Sequence, residues 1–181
     1  MEDDKLRPGE SEGIGAQAMV EDLVLTDAFL IKGRVEGKFQ RLSKVLEHYG
    51  RRFLVVSSAT MVDLRRGDVI RTPRVHVNLD EVLLLHELID GGGDFYLQHM
   101  SRQDKNVRIR AFVHGTVDLE IAGRIQRGAY ERSLDRSGFF IMEDCSVRGL
   151  DGGVSKDFAL LDRLGYAILN ASRLSYLYDF S

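Results

Sequence analysis

The chain has 181 residues, 44% of them hydrophobic and 29% charged, with a formal net charge of −3. That length buries a core of one domain or two small ones, and the charge excludes a general attraction of the whole molecule to nucleic acid or anionic lipid, so any polyanion site must be local. Cys145 is the sole cysteine, which excludes an internal disulfide and a thiolate cluster for zinc and fits a reducing, cytoplasmic setting.

In chain order, residues 1–20 combine Pro8, closely spaced glycines and serines and several acids without apolar periodicity, and are expected to form a disordered acidic tail. The start Met1-Glu2-Asp3-Asp4-Lys5 has no basic region followed by an apolar stretch, and runs such as Val82 to Leu85 are too short to span a bilayer. From Asp22 to Val35, β-branched and aromatic residues punctuated by Gly33 predict strand. Leu42, Val45, Leu46 and Tyr49 fall on one stripe before Gly50 and predict a short helix. Phe53 to Val56 predicts a buried strand that Thr60 to Leu64 continues. Arg65-Arg66-Gly67-Asp68 predicts a turn, Val69-Ile70 its return, and Val75, Val77 and Leu79 a further alternating strand. Val82 to Leu88 is strand or helical turn. Gly91-Gly92-Gly93 and the polar residues to Asn106 read as a linker.

The remainder resembles what precedes it. Ala28-Phe29 with Gly33 and Val35 recurs as Ala111-Phe112 with Gly115 and Val117. Phe53-Leu54-Val55, with Ala59, Met61 and Leu64, recurs as Phe139-Phe140-Ile141, with Cys145, Val147 and Leu150. Val77-Asn78, with Val82 and Leu85, recurs as Leu169-Asn170, with Leu174 and Leu177. Three anchors in one order predict a duplicated unit, with Asn78 and Asn170 at turns before the final strands. The expected fold class is mainly β, with two related small β-barrel-like units in tandem, at 21–90 and 107–181, joined by a Gly-rich linker at 91–106.

Gly33-Arg34-Val35, Arg41-Leu42-Ser43, Phe53-Leu54-Val55-Val56 and Val75-His76-Val77-Asn78 together resemble a bacterial small barrel domain of the Sm-like or SH3-like type. The resemblance covers about residues 24–88 and implies a fold. Sm-like barrels usually assemble through strand edges and often bind RNA, although no Sm RNA-contact signature is present here.

No catalytic constellation emerges: the five histidines lack metal-ligand spacing, and no nucleophile elbow, phosphate loop or dinucleotide fingerprint is found. The chain is therefore expected to be no enzyme and to carry no metal or cofactor. Between residues 41 and 76 the local charge is +5, and Arg51, Arg52, Arg65, Arg66, Arg71 and Arg74 form a candidate basic patch for a polyanion or an acidic protein face. Arg66-Gly67-Asp68 spells the integrin-type tripeptide and reads as a turn. In the second half, Asp144-Cys145-Ser146-Val147-Arg148-Gly149 with Arg132 and Arg136 resembles the motifs of PilZ-type cyclic-di-GMP receptors. That resemblance implies a cyclic-dinucleotide site at Arg132, Arg136, Asp144, Ser146 and Gly149, with the arginines gripping phosphate and guanine. The spacing from Arg136 to Asp144 is shorter than that family's intervening strand. The C-terminal Leu174, Tyr176, Tyr178 and Phe180 form a candidate interface, because aromatic side chains anchor protein contacts. The leading expectation is a non-catalytic protein–protein interaction or assembly module in a homo- or hetero-oligomer; the alternative is a nucleotide- or nucleic-acid-binding regulator.

Overall fold

The computed structural model describes residues 20–37, 52–88, 106–130 and 138–180. The tail at 1–19, the stripe at Leu42 to Tyr49 and the glycine run at 91–93 lie outside the described residues. The strands are β1 (Asp22–Thr26), β2 (Phe29–Val35), β3 (Phe53–Asp63), β4 (Val69–Asn78), β5 (Val82–Glu87), β6 (Asn106–Val113), β7 (Leu119–Gln126), β8 (Phe139–Arg148), β9 (Leu164–Asn170) and β10 (Tyr176–Asp179). Short 3₁₀ turns occupy Leu79–Glu81, Lys156–Leu161 and Ala171–Arg173. The fold is mainly β, as the density of β-branched residues predicts.

All ten strands join one antiparallel sheet in the order β10-β6-β7-β8-β9-β5-β1-β2-β3-β4. The strand signals from Asp22 to Val35 form a hairpin, closed where Thr26 Oγ1 accepts from the Phe29 N–H at 3.0 Å. Val82 to Leu88 resolves as strand. Val69-Ile70 and Val75 to Asn78 belong to one strand that runs through Pro73, tolerated because β4 is an edge strand and needs no outward donor there.

The two halves run through the same order, β5-β1-β2-β3-β4 and β10-β6-β7-β8-β9, and their registers agree residue by residue. Phe53 pairs with Asn78 and Phe139 with Asn170. Asp22 pairs with Gly33 and Ile109 with Gly123. Each half has a bulge at that glycine, opposite a residue of positive φ, Ser58 at 49° in one and Asp144 at 47° in the other. A Cβ at Gly33 would lie 2.7 Å from the Ser57 carbonyl oxygen, and one at Gly123 the same distance from that of Glu143, so neither site accepts a side chain without movement. Asn78 and Asn170 both cap 3₁₀ turns, accepting from the N–H two residues on. One expected anchor is displaced: Gly33 corresponds to Gly123, not Gly115, because Ala111-Phe112 lies on β6, whose counterpart is β1 rather than β2.

The halves share one sheet and one buried cluster. β5 pairs with β9 through Leu84 and Leu169 and through Leu85 and Ile168. One buried cluster combines Leu23, Leu25, Leu30, Leu83 and Leu84 with Ile109, Ile121, Phe158 and Leu161, and a second gathers Val24, Ile31, Val56, Val82 and Leu85 with Ile168. Polar contacts follow the same seam: Lys32 to Asp157 at 2.7 Å, Arg65 Nε donating to the Thr116 carbonyl at 2.6 Å, and Arg173 to Asp27 and Glu81. β1 is consequently buried on both faces.

Candidate functional site

Among the described residues a hollow lies on the outer face of the second half. Arg108 and Arg110 project from β6, Ala122 and Arg124 from β7, and Asp144, Ser146 and Arg148 from β8; with Phe180 they line a hollow of about 610 Å³. Period-two alternation explains the placement, since Ile109 and Ala111 face the core between the β6 arginines. Arg124 is held by Asp144 at 2.6 Å and approaches Glu143 at 3.8 Å; Arg110 reaches Glu120 at 3.5 Å and sits over the Phe180 ring at 5.8 Å. Arg108 and Arg148 have no ion-pair partner among the described residues, leaving their forked donors available to a phosphate or carboxylate.

The hollow contains Asp144 and Ser146 of the expected dinucleotide motif, while Gly149 turns away after β8 against Asp118. Arg132 and Arg136 lie outside the described residues. The arginines that do converge come from three strands, so no contiguous motif marks them; only the alternation of Arg108, Ile109, Arg110 and Ala111 signals two basic side chains on one face.

The arginines of the first half do not form one patch. Arg65 and Arg66 lie in the β3–β4 turn and Arg52 at the opposite end of the 11-residue β3, where it approaches Asp80 at 3.8 Å. Several are already engaged: Arg66 with Asp63 and Asp68, Arg74 with Glu36 at 2.8 Å, and Arg65 with the Thr116 carbonyl. The backbone N–H groups of Arg66 and Arg65 donate to the Asp63 carboxylate at 2.8 and 2.9 Å, and the bond from Arg66 holds that carboxyl below its ordinary pKa. Arg71 is exposed on β4, and Arg51 lies outside the described residues. Arg66-Gly67-Asp68 is part of this turn, packed so closely that a Cβ on Gly67 would lie 2.5 Å from the Val154 carbonyl oxygen.

Of the C-terminal residues, Leu174 packs on the core after the last 3₁₀ turn, while Tyr176, Tyr178 and Phe180 are 65%, 44% and 57% exposed on the outer face of β10. They form a ladder: Phe112 stacks on Tyr178 at 5.9 Å, Tyr178 meets Phe180 at 5.3 Å, and His114 meets Tyr176 at 5.5 Å. β10 is one end of the sheet, so no other strand among the described residues pairs with its outer side.

Cys145 is enclosed in the core, and burial pushes its thiol up to about 12, which removes it as a thiolate nucleophile at neutral pH. Among the described residues no group of three or more His, Cys, Asp or Glu side chains is placed to hold a metal ion, and no helix is long and apolar enough to cross a membrane. Comparison with family models, curated proteins and solved structures gives no match.

Proposed function

We propose that the chain is a non-catalytic assembly module that works through protein–protein contact in a homo- or hetero-oligomer. The observation that carries this reading is β10: an edge strand whose exposed face is a run of aromatic side chains ending beside an arginine-lined hollow. Aromatic residues and arginine are the side chains that most often anchor interfaces, because they desolvate large rigid surfaces and make forked hydrogen bonds. Light scattering of the intact protein at tens of micromolar tests it. A mass above that of the monomer is expected, falling to the monomer when Tyr176, Tyr178 and Phe180 are all changed to Ser. A folded monomer that recovers no partner from its native cell overturns it.

A second reading has its own support. The hollow between Arg108, Arg124 and Arg148 suits an anionic ligand of nucleotide class, including a cyclic dinucleotide held beside Asp144 and Ser146. Calorimetry with cyclic-di-GMP is expected to show binding that Arg108→Ala or Arg148→Ala weakens about ten- to a hundredfold each, the scale of a lost charge-assisted hydrogen bond. Absence of heat with both cyclic-di-GMP and a simple dinucleotide removes this reading.

A further inference from the structure

The internal junction between the halves contains the geometry of a second, external one. β9 occupies in the second half the position that β4 occupies in the first, and β5 occupies in the first the position of β10 in the second. Since β5 pairs with β9, the sheet ends on one further example of each side: β4 at one end and β10 at the other. We propose that β10 of one copy pairs antiparallel with β4 of another, in the register of the internal junction. Leu84 opposite Leu169 becomes Tyr176 opposite Val77, and Leu85 opposite Ile168 becomes Leu177 opposite His76. The inference rests on the assembly reading and names its partner as a second copy of this chain.

Three observations on the two ends agree. Exposed large apolar side chains lie beside both sides of the proposed ladder, Tyr176, Tyr178 and Phe180 at β10 and Phe53, the cross-strand partner of Asn78, at the β4 end. The counterpart of Phe53 is Phe139, which packs at the internal junction against the first-half core. Charge follows the same places: where the Tyr166 hydroxyl donates to the Glu87 carboxylate across the internal seam, the external seam brings their counterparts together, the basic Arg74, which also holds Glu36 at 2.8 Å, and the acidic Asp179, which also accepts from the Tyr130 hydroxyl at 3.1 Å. Finally, Pro73, which has no N–H to offer a neighbour, stands where Gly165 stands in β9, outside the two-pair ladder, so it limits the junction to a short one without blocking it.

Such an interface is heterologous, using different surfaces on each copy, so every associated copy still offers one free end and growth continues until a ring closes or a filament forms. Sedimentation velocity at tens of micromolar tests it with His76→Asp and Tyr176→Asp, two exposed positions, each variant first checked for an unchanged cooperative melt. The intact protein is expected to exceed a dimer, and each variant alone to be monomeric, because one of the two surfaces is lost on every copy. A mixture of the two variants has one good β10 and one good β4 and is expected to give a 1:1 dimer and nothing larger. Independently, a Leu177→Cys chain mixed with a His76→Cys chain is expected to form an intermolecular disulfide on mild oxidation, while buried Cys145 stays out of the reaction. An intact protein that is monomeric overturns both this inference and self-assembly. An oligomer that survives in either Asp variant, or a mixture that fails to give the dimer, overturns the β10–β4 junction while leaving assembly through another surface.

Discussion

β5 and β10 hold the same place in their halves and have opposite surroundings. β5 reads Val-Leu-Leu-Leu-His-Glu and is buried along its first four residues, because β9 pairs with one side and the second-half core packs on its face. β10 reads Tyr-Leu-Tyr-Asp and alternates between exposed and half-buried. Aliphatic side chains stand where a neighbour is permanent, and amphipathic aromatics stand where the strand faces outward at the end of the sheet. The same contrast separates β9, with Ala167, Ile168 and Leu169 buried, from β4, with Arg71, Arg74 and His76 exposed. Two copies of one strand arrangement thus differ most along the line where the internal junction has formed.

The largest expected effect tests that contrast directly. Leu84 is fully buried between the halves, so Leu84→Ala removes its contacts and leaves a cavity, a loss of about 2–5 kcal/mol in unfolding free energy. Tyr176, its counterpart, is 65% exposed, and Tyr176→Ala is expected to change the stability of the isolated chain by no more than about 0.5 kcal/mol. Urea unfolding at low protein concentration, where association is suppressed, reads both. Equal losses at the two positions would mean that β5 and β10 are covered alike.

A smaller effect sharpens the likeness of the halves. At Gly33 an added Cβ meets Val56 Cγ1 at 2.6 Å, and at Gly123 it meets Met142 Cγ and Sδ at 2.5 Å. Both approaches are too close, and Gly→Ala at either site is expected to cost about 1–3 kcal/mol through overpacking. Valine is stiff at χ1 and methionine is not, so Gly33→Ala should be the more damaging of the two. Thermal melts of the pair check the order; a neutral Gly123→Ala would break the equivalence of the two bulges.

How much of this could be read from sequence depended on how local the cause was. β-branched alternation marked most strands, and Phe53 with Phe139 and Asn78 with Asn170 stand out because a cap and its cross-strand partner constrain residue type at fixed positions. Gly33-Arg34-Val35 and Gly123-Arg124-Ile125 were equally legible, yet the similar run Ala111-Phe112 drew the alignment onto β6, since apolar residues substitute freely for one another in such comparisons. The order of the sheet was not legible. The β5–β9 ladder joins apolar runs any neighbouring strand would accept, and its choice depends on how the outer face of β1 is covered. The arginine hollow was hidden for a related reason: Arg108, Arg124 and Arg148 lie far apart in sequence and converge only when β6, β7 and β8 pair in register.

The smallest effect comes from His86, which sits at the internal junction where its counterpart on β10 is Tyr178. Its Nδ1 lies 2.7 Å from the Tyr166 carbonyl oxygen, which can only accept, so Nδ1 carries the proton and donates it. The ring meets Tyr166 edge-on at 5.3 Å. Burial at this seam lowers the His86 pKa, against the opposing pull of the Tyr166 carbonyl and of the Glu87 and Asp22 carboxylates. The unfolded chain therefore binds this proton first as pH falls. The stability linked to His86 is fully present above the ordinary histidine value of about 6.5 and is lost as pH falls through the lowered folded-state value. Urea midpoints measured from about pH 8 down to about pH 5 should decline more steeply for the intact protein than for His86→Gln, which can keep a donor near the Tyr166 carbonyl but has no proton to take up. Parallel curves for the two proteins would show that His86 is not held neutral by the seam. A steeper intact curve would tie the internal junction to pH through His86, whose place in the proposed β10–β4 junction is taken by Tyr178.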